Sequence, residues 1–93
     1  MAVEVKDNPA ESRFEAYVDG ELAGYVEYVL RPDAIVLVHT EVTIEGKGVG
    51  SALARGALDA VRADGGLRVV AKCPFIKKWI AKHPDYQDLT QRS

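Results

Sequence analysis

Glu45-Gly46-Lys47-Gly48-Val49-Gly50-Ser51 separates two stretches of different period, and that change decides the fold. Before it, Ala34-Ile-Val-Leu-Val-His-Thr-Glu-Val42 is rich in β-branched and apolar residues and reads as a strand. Apolar side chains fill both alternations as far as Val38, so this strand is expected to be covered on both faces. After it, Val49, Ala52, Leu53, Gly56, Ala57, Ala60 and Val61 recur at the spacing of a single helical stripe. Asp64-Gly65-Gly66 tolerates a left-handed cap that would end the helix, and Leu67–Lys72 reads as the next strand. Strand, helix and strand over residues 34–72 form a crossover unit, which should be right-handed with its two strands parallel.

Working outward, Asp19-Gly20 lies between two apolar-rich runs and signals a tight hairpin. Phe14, Ala16 and Val18 alternate before it; Leu22, Val26, Tyr28 and Leu30 are expected on one face after it. Arg31-Pro32-Asp33 is a second turn. Pro74 suits the first turn of a second helix, which should end near Lys82 because His83 precedes Pro84. The expected fold is α/β with a mixed (α+β) sheet: antiparallel hairpin strands, a β-α-β unit and a C-terminal helix. At 93 residues, the chain 1–93 is expected to be one domain.

Composition narrows the function classes. Apolar residues at 47% and charged residues at 28% exclude disorder, a collagen-like fibre and a disulfide scaffold. The longest apolar run, Ala34–Val38, is far below the ~20 residues needed to cross a bilayer, so no membrane role is expected. Met1–Asp7 has neither the basic end nor the apolar stretch of a secretory signal. The single cysteine, Cys73, fits a reducing compartment, and a cytoplasmic location is expected. A net charge of -2 argues against nucleic acid as the main partner. Residues 1–45 carry ten acidic and three basic side chains, whereas residues 46–93 carry four acidic and nine basic. The basic half is either a solvated surface or the receiver of a compact polyanion such as a phosphorylated cofactor.

The glycine stretch bears on that choice. Glycines at alternate positions let backbone N–H groups converge, and the start of the following helix adds its positive dipole end. Lys47 adds a mobile charge, and together these parts make a cradle for phosphate or pyrophosphate. The plainer alternative is a glycine-rich tight turn, but the carboxyl end of a parallel strand is where ligands bind in such sheets. A nucleotide-triphosphate loop is excluded because Lys47 is followed by Gly48 rather than Ser or Thr. The dinucleotide fingerprint fails too, since Ser51 stands three places after Gly48 and Leu53 three after Gly50.

Cys73 sits at the cap of the last helix, where backbone N–H groups and adjacent Lys72 favour a thiolate; its alternative is a small core residue. His39, the glycine loop and Cys73 should gather on one sheet edge, with His39 as base or orienting partner, or as a half-buried structural histidine. His83 is expected to end a helix. Two histidines and one cysteine show no metal-ligand spacing, and nothing identifies a carboxylate orienting His39 in a hydrolase triad. Ile76, Trp79 and Ile80 read as the packed helix face, which leaves no reason to make Trp79 a ligand. Lys77, Lys78 and Lys82 are either solvated or near a coenzyme phosphate.

The loop resembles the acyl-coenzyme A pyrophosphate loop of the GNAT acyltransferase superfamily, whose pattern is Arg or Gln, two residues, Gly, one residue, Gly or Ala. Glu45 departs from it at the Arg/Gln position. Val38–Val42, Cys73-Pro74-Phe75-Ile76 and His83-Pro84-Asp85-Tyr86 extend the resemblance to the small, truncated GNAT-like N-acetyltransferases called YjdJ-like. The resemblance implies an acetyl-coenzyme A-dependent N-acetyltransferase with pantetheine between two splayed parallel strands. It implies coenzyme contacts at Val42, Gly46, Lys47, Gly48, Val49, Gly50 and Ser51, and catalytic roles for Cys73 and His39. Cys73 would either carry the acetyl group, the preferred route given its cap, or protonate the leaving thiolate. Full domains of the superfamily carry helices between their first two strands, and Asp19-Gly20 is read as replacing them. The alternatives are a non-catalytic coenzyme A-binding module and an acyl-carrying or redox thiol protein. The amine acceptor, small molecule or peptide, is not identified, and a monomer or weak dimer is expected.

Overall fold

The computed structural model describes residues 3–46 and 48–91. The elements run β1 (Val3–Asn8), a 3-10 turn (Pro9–Glu11), β2 (Arg13–Val18), β3 (Glu21–Leu30), β4 (Ala34–Val42), α1 (Val49–Asp64), β5 (Arg68–Ala71), α2 (Pro74–Ala81) and a 3-10 segment (Pro84–Gln91). The strands form one sheet in chain order, antiparallel from β1 to β4 and parallel between β4 and β5. The mixed sheet, and the parallel pairing of the two strands that flank α1, are as expected.

Local chemistry accounts for the element ends. Asp19 and Gly20 have φ of 52° and 81°, the left-handed pair that a tight hairpin needs. Helix α1 begins after Gly48 and ends at Gly65, whose N–H donates to the Val61 carbonyl at 3.2 Å. Pro74 opens α2 without losing a helical hydrogen bond.

Helix α1 lies across β1 to β4, while α2 and the 3-10 segment pack against β5 and against one another. All three occupy the same face, and the shortest dimension, 21 Å, is that of a sheet with one layer on it. Leu37, Leu53, Leu58, Ile76 and Leu89 are fully buried between the layers. Gly56 lets α1 approach β1 closely, since a Cβ there would lie 2.7 Å from Val5 Cβ.

Three expectations change. A fifth strand, β1, precedes the hairpin; its only apolar inward residues are Val3 and Val5, too few to stand out. The connection between the first two strands is therefore Pro9–Ser12, not Asp19-Gly20. Strand β4 is covered by helices on one face only: Val36 is buried between its sheet neighbours Val29 and Val70, while Val29 and Val38 are 46% and 42% exposed. Leu22 is separated from the Val26–Tyr28 stripe by a bulge, with Ala16 opposite Gly24, Tyr17 opposite Leu22 and Ala23 the extra residue. Leu30, at the far end, is exposed.

Candidate functional site

Strands β4 and β5 pair only as far as Leu37 opposite Ala71. There the Leu37 carbonyl accepts from both Lys72 N–H at 3.0 Å and Cys73 N–H at 2.9 Å. This doubled bond ends the ladder, because the next two N–H groups of the β5 side are spent on one oxygen. Strand β4 continues to Val42 while the backbone after β5 turns into α2. The two parallel strands thus part, and among the described residues the carboxyl half of β4 has no strand partner on that side.

At the same level β4 bulges. Tyr28 faces Leu37 and Glu27 faces His39, which leaves Val38 as an extra residue. Cross-strand partners share a face. Val26 and Tyr28 belong to the buried core, so their partners Thr40 and Leu37 lie on the helix-covered face. His39 and Glu41 lie on the open face, where His39 Nε2 meets Glu41 Oε1 at 3.0 Å.

Cys73 is the N-cap of α2, as expected, and is only 4% exposed. Its Sγ lies 3.1 Å from Thr40 Oγ1. The sheet edge expected to hold His39 and Cys73 does hold both, yet on opposite faces of β4, and the thiol is paired with Thr40. Thr40 was not singled out by sequence because a regular pleat from Leu37 would have turned His39, not Thr40, toward Cys73.

Beside the parting strands lies a groove of about 380 Å³. Val42 and Gly46, Gly48, Val49, Gly50 and Ser51 line one side, and Phe75 and Trp79 the other. Lys47 lies outside the described residues. Gly48, with φ 70° and ψ 23°, is the N-cap of α1 and makes no side-chain capping bond, and no acidic residue occupies the first turn. The first N–H groups of α1 therefore stay available to an anion, with the positive end of the dipole behind them. A Cβ at Gly46 or Gly48 would enter open space, so the backbone itself forms the cradle surface. At Gly50 a Cβ would come within 2.9 Å of the Phe75 ring, which lies directly on the loop. These features fit a pyrophosphate. Glu45 also lines the groove and opposes an anion there.

Trp79, expected to be core alone, turns its indole N–H to Ser51 Oγ at 3.1 Å. His83 stacks on that indole with centroids 3.7 Å apart. The Ser51 contact is not readable from spacing, since it links residues of different elements 28 positions apart. Among the described residues no group of three or more His, Cys, Asp or Glu side chains could hold a metal ion. No helix of the described residues is long and apolar enough to cross a membrane.

A family described as GCN5-related N-acetyl-transferase matches residues 13–89. No curated protein matches. Among solved structures, ribosomal-protein-alanine N-acetyltransferase from Brucella melitensis biovar Abortus 2308 aligns with a TM-score of 0.58 at 24% identity. The alignment covers 76% of this chain and 59% of that one, so this fold is shared over little more than half of the longer protein.

Proposed function

The chain belongs to the GCN5-related N-acetyl-transferase family, and from that premise we propose that it transfers the acetyl group of acetyl-coenzyme A to an amine, with the pyrophosphate held by the Gly46–Ser51 loop. One observation carries the reading: an uncapped, left-handed Gly48 opens α1 beside the point where β4 and β5 part. Acetyl-coenzyme A supplies the acetyl group as a thioester. The loop N–H groups and the α1 dipole bind its phosphates, and Val42 adds an apolar wall.

His39 and Cys73 divide the proton work. On the open face, His39 is within hydrogen-bond reach of Glu41, which orients the imidazole to take the proton lost by the attacking amine. On the covered face, the Cys73–Thr40 pair supplies a proton to the departing thiolate. The new C–N bond replaces the C–S bond, so one proton leaves the amine and one reaches the sulfur. Burial of Cys73 and its bond to Thr40 favour this direct route over a covalent acyl-cysteine. Cytoplasmic location and a monomeric or weakly dimeric state complete the proposal.

A second reading, a coenzyme-binding module without turnover, draws on the short Pro9–Ser12 link and on the 59% coverage of the structural relative. Intact-mass spectrometry with acetyl-coenzyme A and a panel of small amines and peptides separates the readings. Acetylated amine supports transfer; coenzyme binding with no acetylated product supports the module; a stable acetyl on Cys73 supports a carrier. Absence of any coenzyme binding would overturn all three.

A further inference from the structure

We infer that Trp79 is a positioning residue of the coenzyme groove, holding the Ser51 hydroxyl so that its proton points to a bound phosphate. The inference rests on the reading of the Gly46–Ser51 loop as the pyrophosphate site. An indole nitrogen donates and never accepts. With Trp79 Nε1 at 3.1 Å, Ser51 Oγ must therefore be the acceptor. A hydroxyl that accepts still has its own proton to give, and among the described residues no acceptor takes it. Ser51 is exposed and is the third residue of α1, so that proton is presented beside the first-turn N–H groups of the same groove. One donor thus converts a free rotor into a fixed member of the anion site.

The indole is itself immobilised. His83 covers one side with an interplanar angle of 11°, and its Nδ1 lies 2.6 Å from the Trp79 carbonyl oxygen. A carbonyl only accepts, so Nδ1 carries the proton and the imidazole is tied to the residue that it covers. Tyr86 meets the indole edge-on at 5.1 Å, and the Arg55 guanidinium lies 5.4 Å from the ring centroid. Tyr86 is fixed in turn, donating to Asp59 Oδ1 at 2.6 Å and accepting from Arg55 at 3.2 Å. Packing alone would need only the ring. The buried indole instead directs its N–H to an exposed hydroxyl on the groove wall.

The test titrates coenzyme A by calorimetry into the wild type, Trp79→Phe, Ser51→Ala and the double variant. Phenylalanine keeps an aromatic ring and deletes the N–H. Ser51→Ala is expected to weaken binding about tenfold, as for one charge-assisted bond, and Trp79→Phe by about three- to tenfold. The double variant should bind no more weakly than Ser51→Ala, because the two residues act through one hydroxyl. Additive losses, or wild-type affinity in folded Trp79→Phe, would overturn the inference. A second measurement needs no change at Trp79. It is the sole tryptophan, so nitrogen-15-labelled protein shows a single indole N–H resonance to follow. That resonance should move on saturation with coenzyme A and move less in Ser51→Ala that is saturated too; an unmoved wild-type resonance, or an equal shift in Ser51→Ala, overturns the inference. A wild type that fails to bind coenzyme A defeats the parent reading, whereas binding with an unresponsive indole defeats the role of Trp79 alone.

Discussion

Replacing Gly48 with alanine separates what the loop does for the fold from what it does for the ligand. At φ 70° a Cβ is strained, and the left-handed region costs a non-glycine residue about 1–2 kcal/mol. Among the described residues, chain neighbours aside, no atom lies within 4 Å of the added carbon, so no clash with them adds to that cost. In a domain of this size each kcal/mol lowers Tm by about 4–8 °C, which scanning calorimetry resolves. The same methyl group stands in the open space over the cradle and holds a phosphate away from the first N–H groups of α1. Losing one hydrogen bond to a charged acceptor is worth about 1.5–3 kcal/mol, or roughly ten- to a hundredfold in affinity for coenzyme A. Gly48→Asn is the companion variant: asparagine tolerates the left-handed region, so Tm should hold while affinity falls. A folded Gly48→Ala or Gly48→Asn protein that binds coenzyme A as the wild type does would remove the loop from the anion site. An unchanged Tm in Gly48→Ala would refute the strain argument.

Gly56→Ala gains about 1 kcal/mol of helix propensity but loses about 1–3 kcal/mol to overpacking against Val5, so urea midpoints should fall; a rise would mean that β1 yields freely. Glu15, 5% exposed, accepts from Tyr17, Arg13 and Asn8, and these bonds hold its carboxyl below the ordinary value of 4.5. Its contribution is complete above pH 4.5 and is lost as pH falls through the lower folded value. Glu15→Gln should therefore destabilise the protein at neutral pH and flatten its acid unfolding profile; an unchanged profile would place the acid sensitivity elsewhere. His39→Gln should lower kcat for acetyl transfer by about 10²–10⁴ with little change in the KM for acetyl-coenzyme A, and a full-rate variant would take His39 out of the chemistry.

Signals that are local in the chain were legible. Asp19-Gly20 specified its hairpin because positive φ at two adjacent positions leaves few other conformations. The Val49–Val61 stripe and Gly65 marked α1 because a helix buries one side at a fixed period. Strand β1 was not legible: an edge strand with charged Glu4 and Lys6 facing outward needs only Val3 and Val5 inside. The glycine loop was legible as the junction between strand and helix, because three glycines display it openly. Thr40 and Trp79 were missed because their roles come from partners 33 and 28 residues away. No periodicity encodes such a pairing.

The extra residue at Val38 works like a parity bit. Before it, odd-numbered residues of β4 point to the helices; after it, even-numbered ones do. Flattening the bulge with that residue kept would leave the composition of the strand unchanged and exchange the surroundings of its two polar neighbours: histidine would face the buried thiol, and threonine the solvent. A relative with a regular β4 therefore needs a one-residue gap at this point before its side chains are equated with these. Slid by one position, an alignment would still score well on Val36, Leu37 and Val42 while assigning the imidazole to the wrong side of the sheet.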